Sequence, residues 1–211
     1  MADVQHTVKR GDCIASIADQ YGHFWRKVWD YGPNAQLKNL RKNPNVLMEG
    51  DVVVVPAKVP GQKDAATDQL HTYKRKGVPS KVRLRMMAHD KPRKYIDYTF
   101  DVAGKTFRGK TDADGYLSLP VPPGAQRGTL KLYVDNLVEE HTINLGHLNP
   151  ITEVTGVQQR LRNLGIECPE SGVMDEDAKN ALSEFRAKYN LEPADGPDQA
   201  TLDKLKEVHG A

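Results

Sequence analysis

Cysteine is scarce in this chain: Cys13 and Cys168 are the only two in 211 residues. They stand in opposite halves of the sequence, so they form neither a disulfide framework nor a metal-ligand cluster, and we read them as reduced structural thiols. Long apolar runs are missing as well. None approaches the roughly 18 residues that a helix needs to cross a bilayer. The opening Met1-Ala2-Asp3-Val4-Gln5 has no basic n-region and no apolar h-region, so no signal peptide is expected. The seven histidines give no His-Glu-x-x-His and no His-x-x-His, and none is paired with a nucleophile. A Gly-rich phosphate loop is also absent. These absences exclude a transmembrane protein, a zincin-type protease and a P-loop nucleotide enzyme. They predict a non-enzyme without cofactor or metal, cytoplasmic as synthesised and without a membrane partner.

What is present suits folded protein: 38% hydrophobic and 27% charged residues. A formal charge of +2 conceals an uneven distribution. Residues 1–69 carry 9 Lys/Arg against 8 Asp/Glu, residues 70–149 carry 14 against 8, and residues 150–211 carry 7 against 12. The middle is basic and the end acidic, an asymmetry that suits solvated faces or docking of partners.

Hydrophobic periodicity divides the chain. In the first segment His6-Thr7-Val8 starts extended and Lys9-Arg10-Gly11-Asp12 turns. Asp12 is expected to cap a helix whose apolar stripe is Ile14, Ile17, Ala18 and Tyr21, with Gly22 as its left-handed stop. Trp25, Val28 and Trp29 share one face of a second short helix. A polar stretch and the loop Asn43–Asp51 lead to the strand Val52-Val53-Val54-Val55, ended by Pro56. Residues 59–69, which include Pro60-Gly61, have no periodic pattern and read as a linker.

From residue 70 the period becomes two. Val82, Leu84 and Met86 alternate with Lys81, Arg83 and Arg85, a half-buried strand. Further strands are expected over Tyr95–Phe100, Thr106–Arg108, Leu117–Leu119, Thr129–Val134 and Glu140–Leu145. Short strands punctuated by Gly and Pro argue a β-sandwich of about six or seven strands. Lysine and arginine at outward positions would blunt its edges. After Pro150 the helical period returns: Val154, Val157, Leu161 and Leu164, then a helix capped by Asp175, then one opened by Asp198. This predicts a three-helix unit.

The residues His6–Asp12, Ile17–Gly22 and Asn45–Pro56 resemble a LysM module, a small βααβ glycan-binding domain. Val157-Gln158-Gln159-Arg160-Leu161-Arg162-Asn163-Leu164-Gly165, with Ala181–Phe185 and Ala200-Thr201-Leu202, is similar to the three-helix peptidoglycan-binding domain found on wall-lytic enzymes. The stretch Thr111–Gly124 looks like part of a transthyretin or carboxypeptidase-regulatory sandwich. The fold expected is therefore multidomain α+β: a LysM-like module over 1–58, a linker over 59–69, a β-sandwich over 70–149 and a peptidoglycan-binding-like domain over 150–211. That layout resembles accessory proteins of type VI secretion and other contractile injection systems.

The LysM resemblance implies a shallow groove that reads N-acetylglucosamine chains. Gly11, Asp12, Cys13 and Ile14 would line one side, and Asn45, Val46, Leu47 and Met48 the other. Backbone N–H and C=O groups would bind acetamides while apolar side chains cover the sugar face. Each residue also has a plain structural reading: Asp12 as helix cap, Val46 and Leu47 as core. In the C-terminal segment the family commonly has Asp-Gly where this chain has Ser171-Gly172, Thr at Ala178 and Gln at Arg186. Ser171, Gly172 and Arg186 are thus a second candidate surface with altered ligand chemistry.

Elsewhere, Asp112-Ala113-Asp114-Gly115 resembles the opening of a calcium loop but lacks the third acid and the distal Glu, so a β-turn is expected. Glu139-Glu140 reads as a solvated pair between strands, not a general acid and base. Lys74-Arg75-Lys76 and the row Lys81, Arg83, Arg85 give the middle a basic face. Without interleaved aromatics that face is not expected to bind nucleic acid. The expectation is a non-catalytic binder of peptidoglycan or a chitin-like glycan, delivered to the periplasm or wall by a non-Sec route. The alternative is an intracellular adaptor or chaperone whose partner is an effector, spike or baseplate protein.

Overall fold

The computed structural model describes residues 2–59, 64–72 and 80–210. Within them the protein mixes six α-helices with antiparallel β-structure in ten strands. No helix among the described residues is long and apolar enough to cross a membrane. Two compact units form: residues 1–45 with 49–147, and residues 46–48 with 148–211. Pro60-Gly61 in the expected linker and the basic run Lys74-Arg75-Lys76 lie outside the described residues. Residues 64–72 form neither helix nor strand.

In the first unit β1 (Val4–Thr7) pairs antiparallel with β2 (Val52–Val55), Val4 opposite Val55 and Thr7 opposite Val52. Between them run α1 (Ile14–Gln20), α2 (Trp25–Trp29), a 3-10 turn Gly32–Asn34 and α3 (Ala35–Arg41). Ile14, Ile17, Ala18, Val28, Trp29, Val53 and Val55 are buried, so helices and strands share the expected apolar stripe. Helix α3 carries no periodic pattern that would announce it. None of its residues is buried and Leu40 is 64% exposed, so no apolar stripe marks it.

Asn34 does the work of a third strand beside β2. Its amide donates to the Val28 carbonyl (2.7 Å) and the Val54 carbonyl (2.8 Å), while its Oδ1 accepts from Val54 N–H (2.8 Å). At 1% exposure these bonds are sheltered from water, where an unmade one would be costly.

The rest of this unit is all β. A four-stranded antiparallel sheet runs β10 (Leu137–Asn144), β9 (Arg127–Val134), β6 (Asp97–Val102), β7 (Lys105–Lys110). A two-stranded sheet joins β3 (Lys81–Arg85) to β8 (Tyr116–Pro120), and a hairpin joins β4 (Met87–Ala88) to β5 (Lys91–Pro92). Val82, Leu117 and Leu119 of the small sheet and Tyr98, Phe100, Val102, Leu130 and Leu132 of the large one form a single core. The strand count exceeds the six or seven expected because β4 and β5, two residues each, are too short for alternation to show. Glu139 and Glu140 lie inside β10, not between strands.

In the second unit α4 (Val154–Asn163), α5 (Glu176–Lys188) and α6 (Gln199–His209) enclose Val157, Leu161, Ala178, Ala181, Leu182, Phe185 and Leu205. Asp175 caps α5 through Ala178 N–H, and Asp198 caps α6 through Thr201 N–H, at the positions expected from sequence. Cys168 is buried in the same core, and burial with the nearby Asp175, Asp177 and Glu170 pushes its thiol pKa up, away from reactivity.

Candidate functional site

The turn before α1 is built differently from the sequence expectation. Asp12 does not cap the helix. Its Oδ2 accepts from Lys9 N–H (2.9 Å) and from His6 Nε2 (3.0 Å). The cap is Cys13, whose Sγ accepts from Ser16 N–H (3.4 Å) while Ser16 Oγ accepts from Cys13 N–H (2.9 Å), a reciprocal capping box. The reason is competition: the Asp12 carboxylate is already held by the turn and by a histidine on β1.

His6 is the functional-looking residue that sequence reading passed over. It is 9% exposed, with Asp12 on one ring nitrogen and the Tyr21 hydroxyl 3.2 Å from the other. Because a carboxylate can only accept, Nε2 carries a proton and donates to Asp12, while Nδ1 is hydrogen-bonded to the Tyr21 hydroxyl. The Tyr21 ring stands edge-on to it at 5.7 Å. Such a His–Asp pair could orient a base for catalysis. Here both nitrogens are engaged, and the nearby Cys13 sulfur serves the helix. The arrangement ties β1, the turn and the end of α1 together.

The residues expected to line a glycan groove are placed as follows. Gly11, Asp12 and Cys13 are half-buried, Asn45 is exposed, and Met48 is half-buried. Ile14 is fully buried, and Val46 and Leu47 are each only 6% exposed. Three of the four apolar side chains expected to cover a sugar face are thus inside, and Met48 is half-buried. Gly11 to Ile14 and Asn45 belong to the first compact unit, Val46 to Met48 to the second. Ile14 N–H is bonded to the Pro44 carbonyl at 2.9 Å, so that donor is spent too. Gly11, with φ +93°, meets the loops that flank β9 and follow β10. A Cβ on it would lie 3.2 Å from Gln126 Nε2, and a Cβ on Gly146 would lie 2.6 Å from the Gly11 carbonyl oxygen.

The second candidate surface divides. Ser171 and Gly172 are exposed, but their polar groups face Gln158, which is fully buried. Gln158 Nε2 donates to Ser171 Oγ (3.0 Å) and to the Val173 carbonyl (2.9 Å), and its Oε1 accepts from Gly172 N–H (2.9 Å). Ser171 Oγ donates to Asp175 Oδ2 at 2.6 Å, which with Ala178 N–H holds the Asp175 carboxyl below its usual range. Arg186 is not a surface residue at all, being 3% exposed. Its guanidinium donates to Thr201 Oγ1 (3.0 Å) and to the carbonyls of Ala194 and Gly196. Gln158 was legible in sequence, since it falls on the buried stripe of Val154, Val157 and Leu161. The burial of Arg186 was hidden by its charge.

The remaining candidates are structural where they stand. Asp112 Oδ1 accepts from Asp114 N–H (2.9 Å) and Tyr116 N–H (2.8 Å), the bonds of a closed Asx turn. Glu139 is paired with Arg93 through two bonds of 2.5 and 3.1 Å, and the guanidinium holds its carboxyl low. Trp25 is half-buried, with the Arg26 guanidinium carbon 5.4 Å from its ring centre. Among the described residues no group of His, Cys, Asp and Glu could hold a metal ion. Comparison of the chain with protein-family models, with curated proteins and with solved structures finds no match.

Proposed function

We propose that this protein is a non-catalytic adaptor of a bacterial type VI or phage-like contractile machine, built from LysM-like, β-sandwich and peptidoglycan-binding-like modules that engage protein. One observation carries the reading: Ile14, Val46 and Leu47, the apolar groups a sugar would need, are buried at 0%, 6% and 6% exposure. Buried in this way, these three side chains are not available to cover a sugar face. Arg186 supports the reading from the other end of the chain, because it closes a loop on α6 with the polar groups that a ligand would otherwise meet. The His6–Asp12–Tyr21 chain and the Cys13 cap support the absence of catalysis, since each reactive group already has a structural partner.

A second reading, binding of peptidoglycan or a chitin-like glycan, is favoured by the partial exposure of Gly11, Asp12 and Cys13 and the exposure of Asn45. The two readings part in one experiment on the full chain. An adaptor co-purifies stably with an effector, spike or baseplate protein from the cytoplasm of its host and stays in solution beside purified peptidoglycan sacculi. Sedimentation with the sacculi and no protein partner would overturn it in favour of the second reading.

A further inference from the structure

The small sheet of β3 and β8 carries a surface that the adaptor reading does not use. Met86 N–H donates to the Gly115 carbonyl (2.8 Å) and Val121 N–H to the Ser80 carbonyl (3.0 Å). Bonded and non-bonded pairs alternate along an antiparallel ladder, so Val82 and Leu84 share the bonded parity of Ser80 and Met86. The backbone N–H and C=O groups of Lys81, Arg83 and Arg85 are therefore directed to the opposite edge of β3. No strand pairs with that edge among the described residues.

The same three residues line up their side chains. Val82 and Leu84 turn to the core, and Lys81, Arg83 and Arg85 are exposed on the other face. Among the described residues no ion pair joins any of the three to a carboxylate. Arg85 Nε donates to the Asp114 carbonyl at 3.1 Å, and the guanidinium carbons of Arg83 and Arg85 lie 4.0 and 5.2 Å from the Tyr116 ring centre. Stacking of this kind fixes the direction of a guanidinium without neutralising it. Same-face residues on a strand repeat every 6.8 Å or so, about 3.4 Å per residue, so the row holds positive charges at the repeat of a neighbouring strand's side chains.

We propose that the outer edge of β3 docks an extended acidic segment of a partner protein, added as a strand with Asp or Glu at every second residue. Its backbone bonds the N–H and C=O groups of Lys81, Arg83 and Arg85, and its carboxylates stand opposite the three cations. Cationic edges deter pairing with like or neutral strands, and that deterrent serves here as the selector for an acidic one. Nucleic acid would match the charge but not the backbone groups, and Tyr116, the aromatic in the row, is already stacked by Arg83. The inference goes beyond the adaptor reading and does not depend on the state of the groove.

The test uses the full chain and a labelled short peptide of alternating Glu and Val, followed by fluorescence polarisation and amide NMR at low salt. Saturable binding is expected, with amide shifts at Lys81 to Arg85. A peptide N-methylated on its ladder-bonding residues should bind at least about tenfold more weakly, and so should Lys81→Glu, while Lys81→Arg should not. Lys81 is the position of choice because it makes no contact with Tyr116. No binding, equal binding of the N-methylated peptide, shifts outside β3, or tighter binding of a short oligothymidylate would each overturn the proposal.

Discussion

Gly146 approaches Gly11 so closely that a Cβ built on it would stand 2.6 Å from the Gly11 carbonyl oxygen. The turn that resembles one rim of a LysM groove is thus in contact with the chain that follows β10. Gly146 also has φ +71°, a left-handed conformation that L side chains rarely adopt. Gly146→Ala should therefore destabilise the protein by about 1–3 kcal/mol, measured as a lower urea midpoint. Gly124→Ala is the control: its Cβ would meet nothing within 4 Å, and its effect should be small.

Cys13 is predicted to act through helix capping alone. Removing the Sγ acceptor in Cys13→Ala should cost about 0.5–1 kcal/mol, whereas Cys13→Ser or Cys13→Thr, with a stronger oxygen acceptor for Ser16 N–H, should stabilise by a few tenths to about 1 kcal/mol. Thermal unfolding checks the order Ala below Cys below Ser or Thr. On the adaptor reading Cys13→Thr gains no chitooligosaccharide binding, and a gain would mark a weakened sugar site.

Arg186 ties the segment around Ala194 and Gly196 to α5 and reaches Thr201 on α6. Its loss removes the charged-group hydrogen bonds to these carbonyls and to the fully buried Thr201, at about 1–3 kcal/mol. Arg186→Ala should lower the unfolding midpoint accordingly. Arg186→Lys should restore little, because one ammonium cannot reproduce the planar fork. A substitution without effect on stability would mean the residue is free for ligand.

His209 gives the second unit a pH dependence. Burial, with Arg160 nearby, holds its imidazole at about 4 instead of 6.5. Its Nε2 faces the Asn163 amide nitrogen at 3.0 Å, and its Nδ1 is buried without a partner among the described residues. Because the amide donates, Nε2 accepts and the ring is neutral. For a base whose folded pKa is depressed, the unfolded chain binds more protons across the interval. Stability is then complete above pH 6.5 and is lost as pH falls toward 4. The carboxylates held low, such as Asp175 and Asp198, start from 3.8 and contribute below that window. Urea unfolding at pH 7 and pH 5 should show a drop in the native chain that His209→Gln reduces.

Much of the fold could be read from periodicity, because burial writes itself into spacing. Ile14, Ile17 and Ala18, the alternation from Lys81 to Met86, and Val157 with Leu161 each marked a real buried face. What escaped were features without an apolar signature: exposed α3, the two-residue strands β4 and β5, and Asn34 substituting for a strand. The site was harder still. The sequence pointed to Asp12 as the cap, and only the tertiary position of His6 shows why Cys13 takes its place. Likewise a charged Arg186 looks like surface until the carbonyls around it are seen.

On the adaptor reading, the residues that resemble a LysM groove do not hold sugar. An amide NMR titration of the full chain with a chitohexaose-type N-acetylglucosamine oligomer tests it most directly. No saturable shifts are expected at Gly11, Asp12, Cys13, Ile14 or Asn45 at millimolar sugar. Saturable shifts at those residues, abolished by substitution of Asn45, would contradict it.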